Sequence, residues 1–361
     1  MAYTYENNIF GFIKPEEWLD VGFNVTRQND PIDGLFGDEK TNNIAASWQT
    51  IAAEYQIPVM AQFHAFDTEA NTTFRIPVDN HSVEKGLIKV KTNQSERMRE
   101  LTKTGVANSE MADYVLRDGI RLAEQVFTRS KVAKNELMAT GKVTIKENNL
   151  DLTVDYGVPD DQLAFELDLS TTADISAQIQ AIVDIAIQRG ITINGMITSR
   201  KNITKMRNNA GLQKNINANV GVGALIRSSA LSAYLEEEFG IANIITNDLT
   251  YGADTKLGEN GRPIVTTKKY FPEDKVTFYA TNPAGRVGIG LWGDPPEVTL
   301  GTLSFGNAES SVSPYVYVSQ WTENDPAVLW TKASGLFMPV LYNPNSLFVA
   351  TVKDDEENAG A

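Results

Sequence analysis

The chain has 361 residues, 42% of them hydrophobic, and a formal net charge of -14. Its length and apolar content are enough for one large globular domain or two domains of ordinary size. The sequence contains no cysteine, which excludes disulfides, thiolate nucleophiles and cysteine-ligated zinc. The negative net charge argues against a surface that binds nucleic acid, because such surfaces neutralise phosphates with many Lys and Arg side chains.

The first segment of the chain is aromatic but has no period. Residues 1–43 carry Tyr, Phe and Trp side chains among Asn, Asp, Gly and Pro, which predicts an extended arm. The N-terminus lacks a basic region followed by an apolar core of signal-peptide length, and no apolar run approaches a membrane span. We therefore expect a soluble protein that is not secreted by the signal-peptide route.

A short helix is predicted next, over residues 44–55. Apolar side chains recur there at spacings of four, three and four, at Ile44, Trp48, Ile51 and Tyr55. Two strand-like pieces follow, residues 61–66 and residues 87–92, and roughly twenty polar residues separate them. Long loops in compact domains are uncommon and are usually functional or disordered. Two interpretations stay open: an ordinary surface loop, or a hairpin that leaves its own domain and lies on a neighbour.

The clearest element is one long helix over residues 108–140. Asn108 or Ser109 is a good N-cap, and Gly141 stands where a left-handed C-terminal cap belongs. Apolar side chains recur by four and seven, so one apolar stripe stays on one side of the helix along its length. At 1.5 Å per residue the helix would be roughly 45 Å long, which is longer than a core of this size requires.

Alternating hydrophobicity downstream of the helix predicts a β-hairpin over residues 143–156. Residues 172–247 then alternate amphipathic helices with short strands, which predicts a separate α/β layer. The run SLFVATV, residues 346–352, is apolar on both faces, as expected for a central strand covered on two sides. Pro339 is expected to place the preceding run at an edge or a bulge. The last strand should therefore complete a sheet begun before residue 170, with the α/β layer inserted between.

Few residues are placed for chemistry. The only histidines, His64 and His81, do not have the spacing that puts two metal ligands on one helix face. The segment GIGLWG, residues 288–293, matches GxGxxG, but an Asp-Pro-Pro sequence stands where the phosphate-binding helix should begin, so the match is interpreted as accidental. Four carboxylates lie close together in the sequence, but no pocket is evident that would separate their pKa values into those of an acid and a base. We therefore interpret this segment as a solvated turn: Asp160, Asp161, Glu166 and Asp168. We predict no catalytic residue, cofactor or metal site.

Four blocks of sequence occur in a fixed order: IPVMAQFHAFDTEA, the long helix running into ATGKVTI, then DLTVDYGVP, and finally WTENDPAVLWTKASGLFMPVLYNPNSLFVATV. Together they resemble the major capsid proteins of tailed phages, of the lambda-type (capsid protein E) family, over residues 45–352. The resemblance implies an α+β fold of the Hong Kong phage type. Its parts would be an N-terminal arm at 1–60, an extended β-hairpin loop at 61–92, a peripheral domain at 93–171 and 281–361 with a spine helix at 108–140, and an inserted α/β axial domain at 172–280.

The resemblance also implies a function. It is that of a structural major capsid protein that self-assembles into homo-hexamers and homo-pentamers, which form the icosahedral head shell around viral double-stranded DNA. The implied partners are other copies of the chain, a scaffolding protein, a portal and packaged DNA bound non-specifically; a decoration protein stays open, and no membrane is involved. A separate scaffolding protein is implied because the chain has no long charged helical prefix. The implied location is the virion, after assembly in the host cytoplasm.

Under this interpretation, the extended loop lies across the neighbouring subunit. Its apolar anchors would be Phe74 and Ile76, and the residues pairing at its rim would be Arg75, Glu84 and Lys85. The residues that face the core from the spine helix would be Val115, Leu122 and Val126. Crosslinking between a loop lysine and a neighbour's asparagine is not expected, because no motif supports it.

Two alternatives come from other classes of protein. A nanocompartment shell of the encapsulin type would share the fold but enclose cargo enzymes. A nucleotide-binding α/β enzyme would use the segment at residues 288–293 and would bind a cofactor as a discrete oligomer. Electron microscopy separates these readings by whether large heads, small cargo shells or no shells are present.

Overall fold

The computed structural model describes residues 30–51, 56–57, 59–64, 66, 69, 72, 75–94, 108–216, 226–257, 263–301, 309–312, 315–324 and 327–353. The helices within this part are α1 (Ile32–Leu35), α2 (Asn108–Thr140), α3 (Asp160–Leu163), α4 (Ile175–Gln188), α5 (Arg200–Asn208), α6 (Ala210–Ile216), α7 (Ser228–Phe239) and α8 (Pro296–Gly301), with a 3-10 turn at Pro344–Ser346.

The strands in the first half of the chain are β1 (Phe36–Lys40), β2 (Ala45–Thr50), β3 (Asp79–Glu84), β4 (Gly86–Gln94), β5 (Lys142–Glu147), β6 (Leu150–Asp155), β7 (Phe165–Asp168) and β8 (Gly195–Thr198). Those that follow are β9 (Asn243–Thr246), β10 (Thr250–Leu257), β11 (Pro263–Lys269), β12 (Lys275–Tyr279), β13 (Gly288–Gly293), β14 (Glu309–Val312), β15 (Tyr317–Asn324), β16 (Ala327–Leu341) and β17 (Leu347–Lys353).

The long helix α2 confirms the predicted spine in its bounds. It runs for 33 residues, about 50 Å at 1.5 Å per residue. It ends where Gly141 adopts a φ of 70° and donates its backbone N–H to the Leu137 carbonyl at 2.8 Å. Glycine reaches this left-handed conformation without the steric cost that a Cβ imposes. The helix therefore stops at a residue whose backbone freedom allows the chain to turn into β5.

The larger sheet packs against α2 and has six strands in the order β1-β13-β16-β15-β14, with β4 also paired to β16. Its longest strand, β16, spans 15 residues and is antiparallel to β4, β13 and β15. Strand β1 runs parallel to β13. The core between this sheet and α2 includes Leu122, Val126, Trp292 and Phe337. The pairing shows that residues 288–293 form a strand of this sheet, whereas a phosphate-binding GxGxxG segment forms the turn between a strand and a helix.

The smaller sheet has five strands in the order β7-β17-β12-β8-β9. Strand β17 lies between β7 and β12 and is buried along most of its length, which confirms the prediction of a central strand that joins a sheet begun before residue 170. A second apolar core lies between this sheet and helices α4 to α7. The resemblance assigns residues 281–361 to the peripheral domain, whereas β17 pairs within the smaller sheet of the α/β layer and not within the larger sheet.

The predicted helix at residues 44–55 is wrong. Residues 45–50 form β2, which pairs in antiparallel register with β3, while residues 52–55 lie outside the described part. Burial alternates along β2, and the pairing with a strand distant in sequence outweighs the local helical spacing. The strand expected at residues 61–66 is also absent, since residues 61–64 have no regular structure, whereas the strand expected at residues 87–92 is present within β4.

The prediction for Pro339 needs a correction as well. This proline lies inside β16, a strand with neighbours on both edges, and pairs with Gly290 of β13. The register of β4 along β16 ends at Phe337, so β4 no longer flanks the strand at Pro339. A proline is tolerated there because no second strand needs the backbone N–H that proline lacks.

The predicted β-hairpin at residues 143–156 is confirmed as β5 and β6. Asn148 and Asn149 connect the strands with φ angles of 50° and 64°. Asparagine tolerates this left-handed region better than most residues with a side chain, and consecutive positive φ angles suit the twist of a tight β-hairpin. The hairpin follows the end of α2 directly and lies beside β4 and β16.

Candidate functional site

Exposed large apolar side chains of the described residues are concentrated on and between β2 and β3. We call β2, β3 and the residues between them, 45–84, the loop hairpin. Most of the exposed large apolar side chains of the described residues lie on it or next to it: Ile44, Ile51, Ile57, Val59, Met60, Phe63, Phe66, Ile76 and Val78. Phe66 is 99% exposed and Val59 is 92% exposed. Large apolar side chains that the described residues leave exposed in one region are typical of a surface for protein association.

Stacked rings attach the stem of the loop hairpin to the body. Trp48 of β2 stacks on His81 of β3 with ring centroids 5.5 Å apart, and on its other neighbour, Tyr156, at 5.1 Å. Thr50 Oγ1 lies 2.9 Å from His81 Nε2. The exposed part of the hairpin therefore extends from a stem that is packed and paired.

Side-chain amides tie the chain beyond the stem to the turn before β17. Asn345 Nδ2 donates to the Ile51 carbonyl at 2.9 Å. The carboxamides of Gln56 and Asn343 exchange two hydrogen bonds of 3.0 Å. Asn343 and Asn345 are thus engaged within the subunit.

The predicted contact residues of the extended loop differ in their exposure to solvent. Arg75, Ile76 and Glu84 are exposed, as an intersubunit contact requires, but their contact with a neighbour stays a prediction. Phe74 lies outside the described residues. Lys85 as a rim residue is wrong, because its side chain is only 4% exposed and its ammonium group is bonded to oxygens within the same subunit.

The predicted core face of the spine helix agrees with the structure where its side chains are described. Leu122 is 4% exposed and Val126 is fully buried. A Cβ at Gly335 of β16 would lie 2.8 Å from Val126 Cγ1, so the absence of a side chain at Gly335 permits the close approach of helix and strand. The side chain of Val115 lies outside the described part.

Sequence reasoning missed the aromatic pair Phe63 and Phe66. Both were assigned to a strand, whereas they belong to irregular backbone and are almost fully exposed. The signal in the sequence was the dense apolar run between Ile57 and Phe66, with no regular period that would bury it. An apolar run without a period is better explained by burial against another molecule than by burial in its own core.

A groove lies on the body at the base of the loop hairpin. It encloses about 120 Å³ between β4, α2 and the β5–β6 hairpin. Its apolar lining includes Leu87, Ile88, Ile145, Leu150 and Met338. Leu87 and Leu150 are each more than a third exposed, so the groove presents apolar side chains to solvent. We call it the β4 groove.

A buried polar cluster joins three parts of the body. Asp30 Oδ1 accepts from Asn247 Nδ2 at 3.0 Å, and Asp30 Oδ2 accepts from Asn135 Nδ2 at 3.2 Å. Lys134 of α2 pairs with Asp33 at 3.1 Å and with Asp38 at 2.9 Å. Burial raises the pKa of Asp30, and a hydrogen bond from the Ile32 backbone opposes that rise. The cluster ties α1 and β1 to the spine helix and to the loop after β9.

The carboxylates read as a solvated turn are dispersed. Asp161 pairs with Arg189 and Glu166 pairs with Lys353 at 2.7 Å, both at the surface, and the Asp168 side chain accepts from the Ser170 backbone N–H at 2.8 Å. The described residues hold no group of three or more acidic, His or Cys side chains arranged for a metal ion. Among the described helices, none has the length and apolar character needed to cross a membrane.

Comparisons with known proteins identify the family. The sequence matches the family "phage major capsid protein E" over residues 65–352, which is most of the chain. No curated protein matches it. Two crystal structures share the fold: a protein described as a capsid protein of an Escherichia coli CFT073 prophage, and a phage-related protein of Bordetella bronchiseptica RB50.

The first structure is 12% identical, with a TM-score of 0.52, over 96% of this chain and 98% of the other. The second is 11% identical, with a TM-score of 0.51, over 94% and 97% of the two chains. The mixed α+β architecture is that of the Hong Kong phage capsid fold. The chain belongs to the phage major capsid protein E family and is a structural protein of a phage capsid shell.

Proposed function

We propose that the chain assembles into hexamers and pentamers, and that these form an icosahedral head shell around double-stranded phage DNA. The observation that carries this proposal is the exposed apolar surface of the loop hairpin, above all Phe63 and Phe66. Burial of a large apolar side chain is worth about 1.5–3 kcal/mol relative to exposure. Self-association covers this surface, and the activity of the chain is therefore association, with no catalytic step.

The contact we propose is head-to-tail. The loop hairpin of one subunit lies on the body of the next, and the β4 groove receives its aromatic side chains. The groove's apolar lining supports this choice, as does its place at the base of the neighbour's own hairpin. A head-to-tail contact joins two different surfaces and closes into a ring when the rotation between subunits permits. Rings of five and six subunits then require only a small change in that rotation.

The division of the chain follows the same proposal. The arm at 1–60 and the loop at 61–92 serve contacts between subunits, and the segment 172–280 meets its copies at the ring axis. The segments 93–171 and 281–361 form the outer part. Strand β17 supports a modified boundary, because it belongs to the sheet of the axial layer. A scaffolding protein guides assembly in the host cytoplasm, a portal occupies one vertex, a decoration protein is optional, and DNA contacts the inner surface non-specifically.

The experiment replaces Phe63 and Phe66 together. In a Phe63→Ser, Phe66→Ser chain, unfolding of the isolated subunit should be unchanged, because both side chains are already exposed. Closed shells should disappear when the chain is expressed with its scaffolding protein and examined by electron microscopy. A Phe63→Leu, Phe66→Leu chain is the matched control and should still form shells. Closed shells of normal size from the serine variant would refute the proposed role of the loop hairpin.

A further inference from the structure

Lys85 occupies a special place in the chain. It is the single residue between β3, which ends at Glu84, and β4, which begins at Gly86. At this point the chain leaves the loop hairpin and enters the larger sheet. The Lys85 side chain is 4% exposed, although lysine is among the residues that are least often buried. A buried charge at a joint between two elements needs a structural explanation.

The ammonium group of Lys85 is held by uncharged oxygens. Its Nζ lies 2.6 Å from Thr41 Oγ1, 2.6 Å from the Asn43 carbonyl and 3.1 Å from the Trp292 carbonyl, with a longer contact of 3.4 Å to the Thr41 carbonyl. The nearby carboxylate of Asp294 pairs with Lys40 at 2.6 Å. Burial lowers the pKa of Lys85, and the charge of Asp294 opposes that change.

Backbone bonds close the same joint. The Lys85 N–H donates to the Ile44 carbonyl at 3.0 Å, and the Thr41 N–H donates to the Trp292 carbonyl at 2.8 Å. The Trp292 carbonyl thus accepts from two donors, one of them the ammonium group. A Cβ at Gly293 would lie 3.1 Å from Lys85 Nζ and 2.8 Å from Leu336 Cδ2, so a glycine at this position leaves room for the ammonium.

We propose that Lys85 is a positioning residue whose ammonium ties the turn after β1 and the end of β13 to the base of the loop hairpin, and so sets the direction in which the hairpin leaves the sheet. Thr41 and Asn43 precede β2, Trp292 is the penultimate residue of β13, and Lys85 follows β3, so one side chain connects three segments at the base. The side-chain contacts of Trp48, Ile51 and Gln56 lie farther along the hairpin than those of Lys85.

The positive charge of Lys85 strengthens the hydrogen bonds at the base of the loop hairpin. Ammonium donates up to three hydrogen bonds in different directions, and an apolar side chain of the same length would leave the oxygens of Thr41, Asn43 and Trp292 without this donor. Bonds of a charged donor to neutral oxygens are stronger than bonds between neutral groups. Loss of the charge therefore loosens the base while the apolar core beneath α2 stays intact.

The test measures amide hydrogen exchange on the isolated full chain. In Lys85→Met, protection of the backbone amides at positions 41 and 85 should fall at least tenfold, while the amides of α2 keep theirs. Lys89→Met is the matched control, since Lys89 sits on β4 in a half-exposed ion pair with Glu297, and it should leave the joint protected. Equal protection in the Lys85→Met chain and the unmodified chain would overturn the proposal.

The absence of cysteine permits a test of charge alone. A Lys85→Cys chain is alkylated while unfolded, either to aminoethylcysteine, which restores an ammonium, or to a neutral propyl analogue, and is then refolded. Protection should return with the ammonium and not with the propyl group; rescue by the propyl group would show that only packing matters. If neither Lys85 variant folds, Thr41→Val decides, because it removes one acceptor and must lower protection at Lys85.

The consequence for shells rests on the proposed function, whereas hydrogen exchange is read on the single chain. With a loosened base, the Lys85→Met chain should form open sheets or particles of mixed size in electron micrographs. Loss of protection together with shells of one normal size would refute the role in direction. Failure of the proposed function would differ, because the unmodified chain would then also form no shells.

Discussion

The indole ring of Trp48 stacks on the phenol ring of Tyr156, with ring centroids 5.1 Å apart. Trp48 belongs to the loop hairpin, and Tyr156 follows β6, so this pair joins the projecting hairpin to the body. The hydroxyl of Tyr156 in turn donates a hydrogen bond to the Pro339 carbonyl of β16 at 2.5 Å. Burial raises the pKa of Tyr156, which keeps the phenol protonated as a donor. The hairpin, β6 and the larger sheet are therefore connected through one side chain.

Removing this hydroxyl tests the connection. Tyr156→Phe keeps the ring and its stacking but leaves the buried Pro339 carbonyl without its donor, and we expect a loss of about 1–2 kcal/mol in the free energy of unfolding. Urea denaturation of the isolated chain measures the change. Tyr342→Phe is the control, because Tyr342 is 43% exposed, and it should have no effect. Equal stabilities of the two variants would contradict the importance of the bond.

The buried face of the spine helix predicts a contrast between neighbouring residues. Leu122→Asp places a carboxylate in a side-chain environment that is 4% exposed, at a cost of several kcal/mol, and should yield insoluble or proteolysed protein. Arg121→Ala, on the exposed side, should stay soluble. Expression and limited proteolysis of the two variants compare them directly, and equal solubility would show that the stripe is misassigned.

Shortening the loop hairpin separates folding from assembly. Replacing residues 52–77 by a short Gly/Ser connection keeps β2 paired with β3 and leaves Lys85 in place. Changes in loop length cost little stability, so thermal unfolding and circular dichroism of the isolated chain should remain near those of the unmodified chain. Closed particles should be absent in electron micrographs. Wild-type shells from the shortened chain would show that the hairpin is an ordinary surface loop.

The buried carboxyl of Asp30 predicts a dependence on pH. Burial raises its pKa in the folded state above the ordinary value of 3.8, so the folded state disfavours the ionised form. This penalty is fully present above the folded-state pKa, shrinks as the pH falls below it, and is gone below the ordinary value of 3.8. The stability of the unmodified chain relative to Asp30→Asn should therefore rise as the pH is lowered from 7 toward 4. Urea denaturation at both values measures this, and a falling difference would contradict it.

The sequence predicted those elements whose signals are local. The spine helix was found with its bounds because Gly141 supplies a cap and the apolar stripe has a helical period, and the β5–β6 hairpin was found because its alternation is strict. Residues 45–50 were mistaken for a helix because the pairing of Trp48 with His81 connects segments far apart in the chain. A local spacing cannot report a partner that distant.

The candidate site was harder to predict for the same reason. The resemblance places Lys85 at the rim of the extended loop, but its burial depends on oxygens of Thr41, Asn43 and Trp292, which only the fold brings together. Phe63 and Phe66 belong to the piece 61–66, which the sequence predicts as a strand. Their exposure follows from the path of the backbone, which nothing in their immediate sequence determines.

The place of β17 has a consequence for how the protein is made. This strand is central in the smaller sheet, yet it follows β7, β8, β9 and β12 in the chain. During synthesis those four strands emerge before the strand that joins β7 to β12. The sheet that packs against helices α4 to α7 is incomplete until the ribosome has made residues 347–353. Strand pairing over such a distance in sequence is also slow. A nascent chain therefore has no finished smaller sheet until β17 has been made, so any self-association that uses this layer must wait for the last strand.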